Sequence, residues 1–432
     1  MTPPLSAAGS RPPRLWMDIT TSLRSRGVRA NGTLRVERTL AAGLRAELGA
    51  TLAFCSYTPS LRRFREAEFP ENAHVSPVQP QPKKTGAAGR DRLGKRIERF
   101  VRLTLRGWLR SVQLRFAARE ARRLFPEANR GDVLLLGGET WSARYDLEVV
   151  GRLRRELGLK IVAICQDVIP LTHPQFFQSG EFVTRYRAYV DFLLRDADLL
   201  IVHSKAVRNS LQAEAERSGH PLPRIAIVPL GSDIAANLTS RAPVTEPPLH
   251  PGEFVIAVST IQSRKNFDLL YRVWRRFAEQ DQRNIPRLVI IGAPGFGGAD
   301  LIQQIADDLL VKDSIVVMQD AGDAELDWLY RHCRFTLYPS FAEGWGLPVS
   351  ESLAYGKPCL ASNTTSLPEA GAGFALHLDP DDVAGWHDTI LAWSTDQRTL
   401  DEMARRIVTN YRPTSWAQTS TALSRELRGL IA

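Results

Sequence analysis

The 432-residue sequence has only four cysteines, Cys55, Cys165, Cys333 and Cys359. They lie far apart, with no CxxC pair and no flanking histidine ladder. That excludes a zinc ribbon and a disulfide framework, and reduced thiols in the cytoplasm are the simplest reading. Long apolar runs are also missing: none reaches the roughly 18 residues of a membrane-spanning helix. Residues 1–14 hold no apolar core of signal-peptide type, and their Pro, Ser and Gly content predicts a disordered tail over 1–13.

What remains is the composition of a globular chain, 44% hydrophobic and 24% charged. The length is too great for one ordinary core, so two domains are expected. The net charge of +9 is concentrated in one place: Lys83 to Arg123 carries 14 Lys and Arg against three acids. That surplus exceeds the net charge of the whole chain, so the remainder is slightly acidic. Such a block calls for an anionic partner. Placed on a helix, Arg92–Val112 has Leu93, Ile97, Phe100, Val101, Leu105, Trp108, Leu109 and Val112 on one broad face. Seven cations, among them Lys95, Arg96, Arg99 and Arg102, lie opposite. A cationic helix with a Trp on its apolar side suits an anionic membrane surface. The alternative is a helix covering the N-terminal domain with a solvated charged face. No nucleic-acid recognition module accompanies the charge, so nucleic acid is not expected as a partner.

Short apolar runs alternate with helical patterns. Strands are expected at 15–19, 51–55, 133–136, 160–165, 199–202 and 225–228, with a helix at 33–48. After a Pro-rich stretch, 242–251, the pattern restarts with strands at 254–259, 288–291, 315–317, 335–338, 359–361 and 375–378. Strand–helix alternation implies parallel doubly wound sheets, and its repetition implies two such α/β domains facing a cleft. Ligands of such sheets sit at the carboxyl ends of the strands.

The most informative stretch is Tyr338-Pro-Ser-Phe-Ala-Glu343-Gly-Trp-Gly-Leu-Pro-Val-Ser-Glu351-Ser-Leu-Ala-Tyr-Gly-Lys-Pro-Cys359. It reads as strand, Gly-rich loop, helix opened by Pro348, a Gly356 terminator and a second strand. Free N–H groups at the helix start attract an anion, and Gly344 and Gly346 allow close backbone approach. Two carboxylates, Glu343 and Glu351, flank the same place. Beside a phosphate they would repel it, so they are better suited to accept hydrogen bonds from sugar hydroxyls. Phosphate plus polyol describes a nucleotide sugar. The bland reading of Glu351 alone is an acid stabilising the first helical turn.

This Glu343-x7-Glu351 pattern resembles the signature of family 4 retaining glycosyltransferases, group 1 type and mannosyltransferase-like, which have the GT-B fold of two Rossmann-like domains. The resemblance extends to Ser259-Thr-Ile-Gln-Ser-Arg264-Lys265-Asn266 as a diphosphate loop, Leu288–Gly292 as the following strand, and Ser362 to Glu369 as an "S…LPE" loop. Asp198 to Ser204, Val228 to Gly231, and Asp18 with Gly32-Thr-Leu-Arg-Val36 are similar to N-domain landmarks. It implies an N-terminal acceptor-side domain over 14–245 with a basic amphipathic insert at about 83–125. A C-terminal donor domain over 252–410 and a final helix over 411–432, packing back on the N-domain, complete the arrangement.

By the same resemblance Glu351 would bind ribose, Glu343 the transferred sugar, and Arg264 and Lys265 the diphosphate. Gly344, Trp345, Gly346, Leu347 and Gly32 would line the donor site, and Gln166 and Asp167 would face the sugar from the N-domain. Two departures stand out. Thr260-Ile261 replaces a common Gly-Arg pair, and Gln166-Asp167 replaces a common His-Asp pair. A Gln bonds a hydroxyl but cannot shuttle a proton near neutrality. No cofactor and no metal are implied, the donor being GDP-mannose or another nucleotide sugar. The expected function is hexose transfer, mannose favoured, to a glycan or polyprenyl-linked acceptor in cell-surface polysaccharide synthesis. The enzyme would be cytoplasmic and peripheral on the inner membrane face. The alternatives are a nucleotide-sugar epimerase on the same fold and an inactive sugar-nucleotide-binding subunit. The DxD strings Asp196–Asp198 and Asp379–Asp381 are expected at helix ends rather than on a metal. His173 and His203 are expected to be structural, and Phe296 could line a nucleobase pocket.

Overall fold

The computed structural model describes residues 11–25, 32–69, 120–177, 179–233 and 249–431. Of the tail expected over 1–13, residues 1–10 lie outside them, as does the cationic helix at 92–112, whereas Arg11 is held by Asp132 at 2.8 Å. The first sheet holds β1 (Leu15–Asp18), β2 (Leu52–Thr58), β3 (Arg63–Ala67), β4 (Val133–Leu136), β5 (Lys160–Ile164), β6 (Leu199–Val202) and β7 (Arg224–Ile227), in the order β3-β2-β1-β4-β5-β6-β7. The second holds β8 (Phe254–Val258), β9 (Arg287–Ile291), β10 (Ile315–Met318), β11 (Thr336–Tyr338), β12 (Cys359–Ser362) and β13 (Leu376–Leu378), in the order β10-β9-β8-β11-β12-β13. These are two Rossmann-like α/β domains of doubly wound type, with the order reversing between β1 and β4 and between β8 and β11.

The central strands are short apolar runs because helices cover both faces, so no residue alternates to water. Leu15–Asp18, Val133–Leu136 and Leu199–Val202 are buried at every position. Every pairing is parallel except β2 with β3. The sequence reading placed no strand at Arg63–Ala67. Its charged edge pattern hides the one deeply buried residue, Phe64, that anchors it. Charged residues on an edge strand discourage pairing with another chain.

All four cysteines are free and buried. The final helix, Trp416–Ile431, packs on the helix Gly32–Leu48 of the first domain. A Cβ on Gly43 would come within 2.0 Å of Ser420 Oγ, so the crossing needs glycine there. Thr421 Oγ1 donates to Glu47 at 2.7 Å, and Thr419 Oγ1 to the Pro229 carbonyl at 2.9 Å. A chain whose last helix joins the first domain crosses between the domains twice. Among the described residues no helix is long and apolar enough to cross a membrane.

Candidate active site between the two sheets

The loops after β5, β8, β11 and β12 meet across the gap between the sheets. Gly344 makes the contact possible: a Cβ there would lie 2.1 Å from the Gln166 carbonyl oxygen. Ser204 Oγ donates to the Gly344 carbonyl at 2.9 Å. Ser204 also caps the helix Lys205–Ser218, whose first free amides, Lys205 and Ala206, each donate to Glu369 at 2.8 Å. A carboxylate from the second domain thus caps a helix of the first, where the dipole favours it. Phe176 and Phe341 stack across the same gap with centroids 5.3 Å apart.

Beneath this contact lies the charged cluster. Arg264 and Lys265 occupy a short 3-10 turn, Ser263–Lys265, after β8. Asn266 follows at φ 56°, a left-handed conformation that Asn tolerates, and its Nδ2 donates to the Pro380 carbonyl at 2.8 Å. Lys265 Nζ donates to Glu343 Oε1 at 2.6 Å and to Tyr338 Oη at 3.0 Å. Arg264 Nη1 lies 3.1 Å from Glu343 Oε2 and also donates to the Ala342 carbonyl. Burial pushes the Glu343 carboxyl up, but Arg264 and Lys265 overcome it and hold it at about 2. Burial brings Lys265 down to about 8, with Glu343 opposing and Arg264 assisting. Two cations therefore share one carboxylate in a buried pocket, with the Asp167 carboxyl of the first domain as the next acid facing them.

Asp167 faces Arg264 from the first domain. Burial raises its carboxyl above the ordinary range, and Arg264 opposes the shift. Its Oδ1 accepts from the Ile169 amide at 3.0 Å. Gln166 Nε2 is buried and has no hydrogen-bond partner, so it holds an unused donor. A cavity of about 580 Å³ is lined by Gln166, Asp167, Arg264, Gln262, Phe296 and Thr33, which brings Phe296 to the cleft. A second, of about 760 Å³, lies on the first domain, and the two share Trp141 and Arg185 as walls.

Gly346 stands at φ 111° before the helix Leu347–Ala354, and the helix begins one residue earlier than expected, with Pro348 inside the first turn. Gly356, at φ 71°, terminates it as the sequence predicts. Glu351 is not a first-turn acid but an inward residue with 2% exposure. Its Oε1 lies 2.8 Å from Arg35 Nη1, and its Oε2 accepts from Tyr330 Oη at 3.2 Å. Trp345 packs against the cores of both domains and Leu347 against that of the first, so their apolar surface helps to join the domains. Gly32 opens the helix that carries Arg35, with open space around its α-carbon.

The other residues singled out in the sequence take these places. Asp382 caps the helix Val383–Thr395 through the Gly385 amide. Asp196 ends the helix Gly180–Asp196 and pairs with Arg195. Among the described residues no group of three His, Cys, Asp or Glu stands close enough to hold a metal ion. His203 is buried and brought to about 4 by that burial, with Nδ1 2.9 Å from the Val228 carbonyl. His173 is held below its usual value by burial and by Arg264, so it borders the cleft as a neutral ring. Arg35, Tyr338, Trp141, Arg185, Thr365 and Ser366 escaped the sequence reading. Thr365 Oγ1 accepts from the Glu343 amide at 2.9 Å, and Ser366 Oγ donates to the Glu343 and Trp345 carbonyls at 2.9 and 2.7 Å. Arg35, Tyr338, Thr365 and Ser366 stand inside quoted motifs, but only the fold reveals what they touch.

Comparison with known proteins agrees with this geometry. Residues 246–412 match the glycosyl transferases group 1 family, and residues 113–215 match the glucosyltransferase 3-like N-terminal domain. A D-inositol 3-phosphate glycosyltransferase of Nocardia farcinica is 27% identical over 239 residues, 54% of this chain and 52% of that protein. The O-antigen chain mannosyltransferase B of Escherichia coli is 29% identical over 168 residues, 39% of this chain and 44% of that protein. The chain thus spans about half the length of these curated relatives. HepE of Anabaena, solved in complex with UDP and glucose, superposes with a TM-score of 0.59 at 13% identity, covering 96% of this chain and 99% of that one. That likeness establishes the GT-B fold.

Proposed function

Because residues 246–412 form a group 1 glycosyltransferase domain, we propose that this chain moves a hexose from a nucleotide-diphosphate sugar to a glycan or lipid-linked acceptor. The observation that carries the reading is the Arg264–Glu343–Lys265 cluster beside the start of the helix Leu347–Ala354. Departure of the nucleotide leaves negative charge on a diphosphate. Two buried cations with one shared counter-ion, and a helix N-terminus, are suited to that charge. Glu351 presents a carboxylate to a ribose diol, and Gln166 an amide donor to a sugar hydroxyl.

Mannose from GDP-mannose is favoured because the O-antigen relative is a mannosyltransferase by name. Retention of configuration fits the absence of a histidine at Gln166, since front-face attack leaves proton transfer to the departing phosphate. The reaction is read as metal-independent. The cavity on the first domain, joined to the cleft at Trp141 and Arg185, is read as the acceptor side. The cationic stretch 92–112 is read as a contact with an anionic membrane surface at the inner face of the cell membrane.

The test is Glu343→Gln, assayed for donor hydrolysis and for transfer with UDP- and GDP-sugars. Turnover should fall about 100-fold or more while nucleotide diphosphate still binds. Undiminished turnover would remove the site assignment.

A further inference from the structure

Arg35 contributes to the second domain's site from the first. It lies in the first turn of the helix Gly32–Leu48, a place where a cation opposes the helix dipole, so helix stability does not explain it. Its guanidinium instead reaches across the gap to Glu351, 2.8 Å away. The arginine side chain is 28% exposed and the carboxylate 2%, so only the arginine edge of the pair meets water. Burial alone would weaken the arginine's hold on its proton, but Glu351 and Asp323 more than offset that.

A carboxylate offers about four lone-pair directions. Arg35 uses one on Oε1 and Tyr330 Oη one on Oε2. About two remain, which is what a ribose 2′,3′-diol needs when both hydroxyls donate. Tyr330 belongs to the helix Asp323–His332 of the same domain as Glu351, whereas Arg35 arrives from the other. The acceptor for ribose is therefore held in position from both sides of the cleft.

Resting on the reading of Glu351 as the ribose acceptor, we propose that Arg35 is a positioning residue for the ribonucleoside diphosphate, completing the ribose site only when the two domains are together. It acts through Glu351 by keeping that carboxylate oriented. A ligand that uses Glu351 then favours the closed cleft by its differential affinity for the complete site. The ligand class is any ribonucleoside diphosphate, whatever its base, because the recognition is of the diol. The deoxy analogue should be discriminated against.

The experiment is calorimetric titration of UDP, GDP and their 2′-deoxy counterparts into the wild-type chain, Arg35→Ala, Arg35→Lys and Glu351→Gln. The wild type should bind one ribonucleotide and bind its deoxy form more weakly. Arg35→Ala should weaken the ribonucleotide about tenfold or more and collapse the ribo-to-deoxy ratio toward the value of Glu351→Gln. Arg35→Lys should restore part of both. A merely structural role would lower affinity for both forms alike and leave the ratio unchanged, and that result overturns the proposal. So does tighter binding by Arg35→Ala, which would make the pair a latch that the nucleotide must break. If the wild type binds neither UDP nor GDP, the donor-site reading fails together with this one. If it binds but Arg35→Ala is silent, only this one fails.

Discussion

Lys265 Nζ lies 2.6 Å from Glu343 Oε1, while Arg264 holds the other oxygen of the same carboxylate at 3.1 Å. Both members of the closer pair are displaced downward, Glu343 to about 2 and Lys265 to about 8. For an isolated ion pair the lysine would rise. It falls because burial outweighs Glu343, with Arg264 adding to the fall. An arriving diphosphate would bring negative charge to both cations.

Affinity for a nucleoside diphosphate should therefore be steady below pH 8 and fall above it, as Lys265 loses its proton. The limiting loss is about tenfold per pH unit if only the protonated form binds. Calorimetry at pH 7 and 9 in buffers of different ionisation enthalpy would also show proton uptake on binding at the higher pH. Lys265→Met should bind more weakly at pH 7 and lose the dependence. An unaltered slope in that variant would assign the titration elsewhere.

Gly344→Ala should act through the distance between the domains. Its Cβ would meet the Gln166 carbonyl oxygen at 2.1 Å and Asp167 Cβ at 3.0 Å, neither of which is the end of a flexible chain. The loop or the whole domain must shift by about an ångström, a displacement that typically lowers turnover about 100-fold. Nucleotide affinity should fall far less, because Arg264 and Lys265 belong to the same domain as the displaced loop. Steady-state turnover against a nucleotide titration separates the two. Equal losses in both would point to a misfolded loop.

How much of this could be read beforehand differs by element. The buried parallel strands announced themselves because each is a short unbroken apolar run. Leu199–Val202 and Val133–Leu136 were placed to the residue. β3 was lost because an edge strand need bury only Phe64. Glu343 is legible beside its glycine loop, Arg264 and Lys265 through the resemblance of 259–266 to a diphosphate loop, and the structure brings all three together. Their mutual pairing was not legible, because ion-pair geometry depends on how β8 and β11 sit side by side. That Trp345 also packs against the other domain's core is not legible, since nothing in a local motif reports a partner hundreds of residues away. Arg35 illustrates the same limit: it meets Glu351 across 316 positions of chain.

A last prediction concerns Glu37, two residues beyond Arg35 on the same helix. Its side chain is fully buried, with Oε1 accepting from the Ser22 amide at 2.7 Å and from Ser22 Oγ at 2.5 Å, and Oε2 without a hydrogen bond. Burial raises this carboxyl to about 7; Ser22 opposes the rise and Asp18 adds to it. Between the ordinary carboxyl value and about 7 the native chain holds a proton that the unfolded chain does not. Stability from this group is therefore fully present below the unfolded value and is lost as pH rises through about 7. The loss is on the order of 3 kcal/mol. Glu37→Gln keeps an acceptor for Ser22 and carries no charge, so its thermal midpoint should change less between pH 5 and 8 and exceed the wild type's at pH 8. If the two proteins lose stability in parallel across that range, another group carries the dependence.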